Sequence, residues 1–160
     1  MTKTKITLRP VSPDDLVVFF LNQMDWEANQ MAAFTARDPK DRAAFDAHWE
    51  KIMGDDNIII RTIVWDNRVA GHVLSYVPED TPEVSYWLGR QYWGRGIATG
   101  ALDQFLTTAN TIRPIYARVA KDNIASLRVL QKCGFKVYDT FRSYANARGQ
   151  EIEELALVLN

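Results

Sequence analysis

Cysteine is almost absent from this sequence, with Cys133 the only one among 160 residues. A lone cysteine excludes an intrachain disulfide, and no group of Cys and His has the spacing of a structural zinc site. The composition therefore fits a reducing, cytoplasmic environment, and we expect no bound metal.

Long apolar runs and an excess of either charge are also missing. No stretch approaches the roughly 18 apolar residues of a membrane-spanning helix, and 19 Lys and Arg offset 20 Asp and Glu to a formal charge of −1. Such a chain has no global electrostatic attraction to nucleic acid or to anionic membranes, so neither is an expected partner. The first ten residues also lack the apolar segment and cleavage pattern of a signal peptide, and we expect an unprocessed protein.

The sequence does contain enough apolar material for a core. Hydrophobic residues make up 47% of the chain and aromatic residues 11%, which excludes wholesale disorder. The length falls within the roughly 100–200 residues of an ordinary domain. We therefore expect one domain that spans residues 1–160.

Hydrophobic periodicity divides the chain into alternating strands and helices. Strands are predicted over 6–9, 57–65, 68–77, 83–88, 115–120, 135–144 and 151–159. Helices are predicted from a cap at Ser12-Pro13, over 22–36 and 39–53, from Gly94 to before Pro114, and over 124–133. Antiparallel hairpins on either side of a βαβ unit predict a mixed α/β fold, in which one sheet carries helices on both faces.

The most informative segment joins the strand over 83–88 to the following helix through two glycines, Gly94 and Gly96. Glycine leaves the main chain open to a phosphate, and the free N–H groups at a helix start attract one. Arg90 and Arg95 are predicted to add positive charge there. The segment therefore predicts a binding site for a phosphorylated ligand.

Two common phosphate-binding loops do not match this segment. A P-loop needs Lys-Ser or Lys-Thr after its last glycine, and a dinucleotide loop needs a third glycine where Thr99 stands. The spacing Gln91-x-x-Gly94-x-Gly96 instead resembles the acetyl-coenzyme A loop of the GNAT superfamily of N-acetyltransferases. Asn123-Ile124-Ala125-Ser126, at the start of a helix that ends in Gly134-Phe135, resembles the second cofactor segment of that family.

The resemblance covers nearly the whole chain. It is strongest to the RimJ/RimL-like branch, which acetylates the N-termini of ribosomal proteins, through the segment Glu83-Val84-Ser85-Tyr86-Trp87-Leu88 and through Asn123 and Ser126. It implies a central, mostly antiparallel sheet of about seven strands that is splayed between strands 4 and 5. In this sequence those strands are Glu83–Leu88 and Ile115–Ala120, and the pantetheine arm of acetyl-coenzyme A is expected between them.

The resemblance also implies which residues hold acetyl-coenzyme A. Main-chain N–H groups from Trp93 to Ala98 are expected at the pyrophosphate, and the N–H of Leu88 at the thioester carbonyl. Asn123 has two compatible roles, as a helix N-cap and as a partner of the pantetheine. The predicted cofactor-binding residues are Tyr86, Trp87, Leu88, Gln91, Trp93, Gly94, Arg95, Gly96, Ile97, Ala98, Asn123 and Ser126.

Two catalytic roles follow from the same resemblance. Ser126, or water, is implied as the proton donor to the departing thiolate, because Leu130 stands where many relatives carry a tyrosine. Glu83 is implied as the base that accepts the amine proton through water, although an exposed strand-end acid is the alternative interpretation. His72 is a second candidate base, and an acyl-enzyme on Cys133 is a poorly supported alternative route.

The predicted reaction is direct attack by a primary amine on the thioester in a ternary complex. Trp26, Phe34 and Glu83 are the expected acceptor contacts, in and beside the helical region over 22–53. The acceptor is either the N-terminus of a ribosomal protein or a small-molecule amine, with antibiotic, polyamine and amino-acid acetylation left open. A non-catalytic acyl-coenzyme A sensor, which would need neither Glu83 nor Ser126, also stays open. The oligomeric state stays open as well, with a homodimer as one expectation.

Overall fold

A seven-stranded sheet in the order β1-β2-β3-β4-β5-β7-β6 forms the centre of the protein, in a computed structural model that describes residues 5–160. Neighbouring strands are antiparallel except β4 and β5, which are parallel. The strands are β1 (Ile6–Arg9), β2 (Ile59–Trp65), β3 (Arg68–Tyr76), β4 (Glu83–Leu88), β5 (Ile115–Ala120), β6 (Lys136–Ala145) and β7 (Gln150–Leu159). The predicted mixed α/β fold is confirmed.

Within residues 5–160, five α-helices accompany the sheet. They are α1 (Asp15–Gln23), α2 (Trp26–Ala32), α3 (Arg42–Met53), α4 (Ile97–Thr108) and α5 (Ile124–Lys132), with short 3₁₀ turns at Pro78–Asp80 and Arg90–Tyr92. Over the described residues, none of the helices has the length and apolarity needed to cross a membrane. The prediction that the N-terminus carries no targeting signal falls in part on residues 1–4, which lie outside the described residues.

The sheet opens between β4 and β5, as predicted. β3 and β4 pair along six residues of each strand, whereas β4 and β5 meet at the single pair Glu83 and Tyr116. From Glu83 onward the two parallel strands diverge, and the edge of β4 that faces β5 is left without a partner strand.

Alternation along β4 divides its side chains between two apolar cores. Val84 and Leu88 pack with α4 in the larger core, together with Ile97 and Phe105. The opposite face of the sheet packs against α1 and α3, where Phe19, Phe45 and Trp49 are buried beside β2 and β3. Because alternate side chains of a strand point to opposite faces, Glu83, Ser85 and Trp87 face the α1–α3 side.

The prediction of one helix over 22–36 is wrong. α1 continues through Gln23, and a separate helix begins at Trp26 because the carboxylate of Asp25 accepts a hydrogen bond from the N–H of Ala28 at 3.3 Å. α2 ends after Ala32, since Ala33 has a φ of 66° that a helix cannot continue through.

Two other helix starts differ from the prediction. Ser12 does not cap α1 with its hydroxyl; the carboxylate of Asp15 instead accepts a hydrogen bond from the Ser12 N–H at 2.8 Å. α3 begins at Arg42 rather than at residue 39, because Asp41 forms its N-cap. α4 begins at Ile97, after the two glycines rather than at Gly94, because both glycines have positive φ.

Candidate functional site

The loop between β4 and α4 holds two glycines in a backbone conformation that other residues rarely adopt. Gly94 and Gly96 have φ of 74° and 76°, and no atom lies within 4 Å of the position that a Cβ would take. Gly96 is the N-cap of α4 and supplies no side-chain hydrogen bond, so the first N–H groups of the helix are free for an external acceptor. This open cradle at the positive end of a helix fits the pyrophosphate of acetyl-coenzyme A.

The edge of β4 that faces β5 offers main-chain groups to the opening between the strands. The N–H of Gly89 donates to the carbonyl of Ala70 on β3 at 2.9 Å. On the other edge, the carbonyl of Pro82 accepts from the N–H of Tyr116 on β5 at 2.9 Å. Because main-chain groups alternate along a strand, Tyr86 and Leu88 direct their N–H groups toward β5. β5 pairs with β4 only at its start, so these N–H groups are available to a ligand.

A cavity of about 430 Å³ occupies the opening and is bounded by α2 and by the start of α5. We call it the first cavity. It brings together residues predicted from both cofactor segments and from the acceptor region. The predicted residues in its lining are Phe34, Glu83, Tyr86, Trp87, Leu88, Trp93, Gly94, Ala98, Asn123 and Ser126.

Glu83 lies at the inner end of the first cavity and is only 9% exposed, so it is not an exposed strand-end acid. Its Oε1 accepts a hydrogen bond from the hydroxyl of Tyr76 at 3.2 Å and lies 3.9 Å from Nε of Arg118. Burial raises the pKa of the Glu83 carboxyl, with a further rise from Glu154, against the lowering effects of Arg118 and Tyr76. A buried carboxylate with a raised pKa has the chemistry of a general base.

Two hydroxyl groups meet on the opposite side of the first cavity. Ser126 Oγ on α5 lies 2.7 Å from the hydroxyl oxygen of Tyr86 on β4, and either group can donate the hydrogen bond. Burial raises the pKa of Tyr86, and the hydrogen bond with Ser126 opposes that rise. Asn123 positions this helix start, because its Oδ1 accepts from the N–H of Ser126 at 3.3 Å. The N-cap role of Asn123 is thus observed, while its contact with the pantetheine stays a prediction.

The remaining cofactor candidates near the cavity differ in what they offer. Trp93 is 39% exposed, and its indole N–H donates to the carbonyl of Leu88 at 2.9 Å, which ties the loop to the end of β4. Ile97 is 1% exposed in the core, so only its main chain can meet a ligand. Trp87 lines the first cavity from the α1–α3 side of the sheet, and its buried Nε1 has no hydrogen-bond partner.

Five predicted residues lie outside the lining of the first cavity. Two of them, Gly96 and Ile97, lie at the start of α4, and the other three are Gln91, Arg95 and Trp26. Gln91 is exposed in the 3₁₀ turn before the glycines. Arg95 is exposed as well, with its guanidinium carbon 5.3 Å from the ring centre of Trp65. Trp26, predicted to contact the acceptor, is 71% exposed at the start of α2. The binding roles of these three side chains therefore stay predictions.

Arg90 does not have the role predicted for it. Its Nε lies 2.8 Å from Asp25, and its terminal nitrogen lies 2.7 Å from Glu27. Both carboxylates already neutralise the guanidinium, so it ties the 3₁₀ turn to α2 rather than adding free positive charge beside the glycines.

The structure disfavours the two alternative chemistries. His72 lies between the rings of Phe19 and Trp49, and burial, with a smaller contribution from His48, lowers its pKa to about 3. So weak a base is poorly suited to accept a proton from an amine. Burial raises the pKa of Cys133 to about 11, with a further contribution from Asp103, so this thiol is almost fully protonated at neutral pH.

The sequence prediction missed three groups of the site. Tyr76 contacts Glu83 because the two residues pair across β3 and β4, which a predicted hairpin register could have indicated. Arg118 on β5 lies close to Glu83 on β4, across the opening between these strands. The Tyr86 hydroxyl on β4 contacts Ser126 on α5. Such contacts join segments far apart in the chain, and no local pattern predicts them.

Comparisons with known proteins give a consistent assignment. The family model described as an acetyltransferase (GNAT) domain matches residues 5–136. The uncharacterized N-acetyltransferase p20 of Bacillus licheniformis is 31% identical over 74 residues, which are 44% of this chain and 42% of that protein. An uncharacterized protein of Methanocaldococcus jannaschii is 23% identical over 141 residues, covering 83% of this chain and 28% of that protein. The chain thus spans less than half the length of these curated relatives.

Solved structures share the fold at low sequence identity. RimJ of Mycobacterium smegmatis, in complex with CoA-disulfide, has a TM-score of 0.81 at 22% identity, with 96% of this chain and 81% of that chain covered. The microcin C7 self-immunity acetyltransferase MccE, in complex with acetyl-CoA and AMP, has a TM-score of 0.80 at 19% identity, with 97% of this chain and 92% of that chain covered. Spermidine N-acetyltransferase of Vibrio cholerae, in complex with CoA and spermine, has a TM-score of 0.77 at 17% identity, with 96% of this chain and 95% of that chain covered.

Proposed function

Because this chain belongs to the GNAT acetyltransferase family, we propose that residues 1–160 form one N-acetyltransferase domain that transfers the acetyl group of acetyl-coenzyme A to a primary amine. One observation carries the proposal. The first cavity joins the buried carboxylate of Glu83, the unpaired main-chain edge of β4 and the hydroxyl pair of Tyr86 and Ser126. A base, a polarising N–H group and a proton donor are what acyl transfer from a thioester to an amine requires.

The glycine loop and β4 hold the co-substrate in this proposal. Acetyl-coenzyme A, when bound, supplies the acetyl thioester. The N–H groups after Gly94 and Gly96 bind its pyrophosphate, and the free N–H groups of Tyr86 and Leu88 bind the pantetheine and the thioester carbonyl. The Leu88 N–H stabilises the negative charge that develops on that carbonyl oxygen during the reaction.

Glu83 and Ser126 handle the protons. The amine nitrogen forms a bond to the acetyl carbon, and the bond between that carbon and sulfur breaks. Glu83 accepts the proton that leaves the nitrogen, through water, and Ser126 donates a proton to the thiolate. The proton that Ser126 gives up is replaced through its hydrogen bond with Tyr86, which lies in the same cavity, and Tyr86 takes up a proton from solvent in turn. Glu83 returns its proton to solvent once the products have left.

The acceptor class is the finer part of the proposal. The structural neighbours include RimJ, a microcin immunity enzyme and a spermidine acetyltransferase, so a shared fold does not select one acceptor. We propose a protein N-terminal amine, such as that of a ribosomal protein, or the amine of a small molecule. Antibiotic, polyamine and amino-acid acceptors are the other members of the panel to be tested.

Mass spectrometry of the acceptor tests this function. The purified protein is incubated with acetyl-coenzyme A and with a panel of small amines and ribosomal-protein N-terminal peptides. We expect at least one acceptor to gain an acetyl group on its amine with the wild-type protein and not with Glu83→Gln. An unmodified panel would contradict the proposal.

A further inference from the structure

A second cavity, of about 580 Å³, lies between the sheet and α3. Its floor is formed by side chains of β3 and β4 that face the α1–α3 side, and its roof by buried aromatic side chains of α1 and α3. The floor includes His72, Leu74, Ser85 and Trp87, and the roof includes Phe19, Phe45 and Trp49. The volume is that of a pocket for a small molecule, in the range of roughly 300–1,000 Å³.

The inner wall of the second cavity is aromatic. The ring centres of Phe19, Trp49 and His72 lie 4.8 to 5.0 Å from one another, with edge-on or tilted orientations. Rings in these arrangements pack favourably against a further planar ring. The wall therefore favours an aromatic ligand over a flexible aliphatic one.

Unpaired polar atoms are concentrated in this same cavity. Among residues 5–160, four buried side-chain polar atoms lack a hydrogen-bond partner, and each belongs to a residue that lines the second cavity. They are Asn29 Oδ1, Thr35 Oγ1, His72 Nδ1 and Trp87 Nε1. Buried polar groups are normally paired, so this concentration points to a ligand with complementary polar groups.

The identity of these atoms defines the polar groups of the ligand. The indole N–H of Trp87 can only donate, so it requires a hydrogen-bond acceptor. Asn29 is 5% exposed, and its amide nitrogen already donates to the carbonyls of Gln23 and Asp25, so its Oδ1 requires a donor. A hydroxyl group both donates and accepts, so a hydroxyl carried by an aromatic ring can meet either requirement, and Thr35 can donate or accept.

The charges and aromatic rings around the second cavity disfavour two classes of acceptor. Of the described residues in its lining, none is Lys or Arg, so a carboxylate or phosphate has no cation to pair with. Asp38 and Asp41 lie at the exposed rim, and each already accepts a main-chain hydrogen bond, from the N–H of Lys40 at 3.1 Å and that of Ala44 at 3.0 Å. A polyamine would bury several charges against aromatic rings, and the nearby carboxylates are Asp38 and Asp41 at the rim and Glu83 in the first cavity.

The second cavity adjoins the first. Phe34, Tyr76, Ser85 and Trp87 line both cavities, and the hydroxyl of Tyr76 donates to Glu83. On the premise of the proposed function, we infer that the acceptor is a phenol-bearing primary amine, whose ring lies in the second cavity while its amine reaches Glu83. A small arylalkylamine and an N-terminal tyrosine residue share this chemistry.

Kinetics with matched amines test the inference. Tyramine carries the ring and the hydroxyl, phenethylamine lacks the hydroxyl, and butylamine lacks the ring; spermidine and peptides that begin with Tyr or Ala complete the set. We expect kcat/KM for tyramine or the Tyr peptide to exceed that for the other amines at least tenfold. A higher value for tyramine would identify a small arylalkylamine as the acceptor, and a higher value for the Tyr peptide would identify an N-terminal tyrosine residue. Equal rates for ring-bearing and ring-free amines would overturn the inference.

Calorimetry with tyramine separates this inference from the proposed function. Binding of tyramine without turnover would keep the second cavity as a binding site and contradict the transferase function. Turnover of aliphatic amines without binding of tyramine would keep the transferase function and contradict the inference.

Thr35 gives a variant that tests the unpaired atoms directly. Thr35→Val removes the hydroxyl with little change in shape, and Thr35→Ser keeps it. Because the hydroxyl has no protein partner, we expect Thr35→Val to leave the melting temperature unchanged or higher while it raises KM for tyramine about tenfold, with kcat unchanged. Thr35→Ser should have the wild-type KM, because it keeps the hydroxyl. An unchanged KM in Thr35→Val would mean that these atoms form hydrogen bonds with ordered water only and would contradict the inference.

Discussion

The hydroxyl oxygens of Tyr86 and Ser126 lie 2.7 Å apart, and this hydrogen bond joins β4 to the first turn of α5 across the candidate site. It connects the two segments of the chain that the sequence marks for cofactor binding. Since the Ser126 N–H is also held by Asn123, the Ser126 hydroxyl has a fixed position with a second hydroxyl behind it.

Removal of the Ser126 hydroxyl should slow the chemical step. We expect Ser126→Ala to lower kcat about 100-fold, because a positioned proton donor contributes on that scale. KM for acetyl-coenzyme A should change less than about twofold, since the main chain holds the co-substrate. Ser126→Thr keeps a hydroxyl and should recover most of kcat. Full turnover in Ser126→Ala would remove Ser126 from the mechanism and leave the Tyr86 hydroxyl or water as the donor.

The glycine loop should be intolerant of side chains. We expect Gly96→Val to abolish acetyl-coenzyme A binding in calorimetry, because the new side chain fills the open cradle and strains a φ of 76°. Gly149→Val is the matched control, since Gly149 has a φ of 64° and equally open surroundings in the turn between β6 and β7. It carries similar backbone strain away from the site and should bind normally. Equal losses in both variants would show that strain alone explains the effect.

The acidic side of the pH profile should depend on Glu83. The carboxylate must be ionised to accept a proton, so kcat rises as pH passes upward through its pKa, which burial holds above the ordinary value. Arg118 lowers that pKa, so Arg118→Gln should move the rise in kcat to higher pH. Arg68→Gln, an exposed change in the β2–β3 hairpin, should leave the profile unchanged. An unshifted profile in Arg118→Gln would exclude Glu83 as the titrating base.

Stability should depend on Asp15, which is 2% exposed. Its carboxylate accepts two hydrogen bonds from Arg9, at 2.7 and 2.9 Å, and one from the Thr62 hydroxyl at 2.7 Å. Asp15→Asn leaves Arg9 without its charged partner and should lower the free energy of unfolding by about 3 kcal/mol in urea titrations. Asp46→Asn, in an exposed pair with Arg42, should cost less than about 0.5 kcal/mol.

The effect of Asp15 should also depend on pH. Burial alone would raise the pKa of this carboxyl, but hydrogen bonds from Arg9, the Ser12 N–H and Thr62 bring it below its ordinary value. A lowered pKa in the folded state adds stability above the unfolded-state pKa of about 3.9, and this contribution is lost as pH falls through the folded-state pKa. The difference in stability between wild type and Asp15→Asn should therefore shrink in acid. A constant difference from neutral pH to pH ~2 would contradict this assignment.

The sequence predicts the sheet better than the helical region before it. The bounds of β4 and β5 agree with the prediction, because alternation and glycine placement are local signals. The opening between the two strands also agrees with the prediction, but it is implied by the resemblance to the GNAT superfamily and not by a local pattern. The break between α1 and α2 depends on the Asp25 cap and on the positive φ of Ala33, and hydrophobic periodicity is insensitive to both. The helix predicted over 22–36 is therefore two elements in the structure.

The sequence predicts the first cavity only in part. Of the second cavity it predicts Phe34 and the helical region over 22–53 but not the unpaired polar atoms. Glu83, Asn123 and Ser126 are found because each belongs to a recognisable segment. The second cavity unites Thr35, His72 and Trp87, which come from a loop and two strands. Their shared feature is that their polar atoms lack partners, and this property exists only in the folded chain.

Amine-dependent thiol release from acetyl-coenzyme A provides the sharpest test of the proposed acetyl transfer. We predict release of free coenzyme A that requires a primary amine, saturates with its concentration and is lost in Glu83→Gln, while calorimetry shows that the variant still binds acetyl-coenzyme A. Tight binding of acetyl-coenzyme A with no thiol release for any amine or peptide would contradict the proposed acetyl transfer and identify the protein as an acyl-coenzyme A sensor.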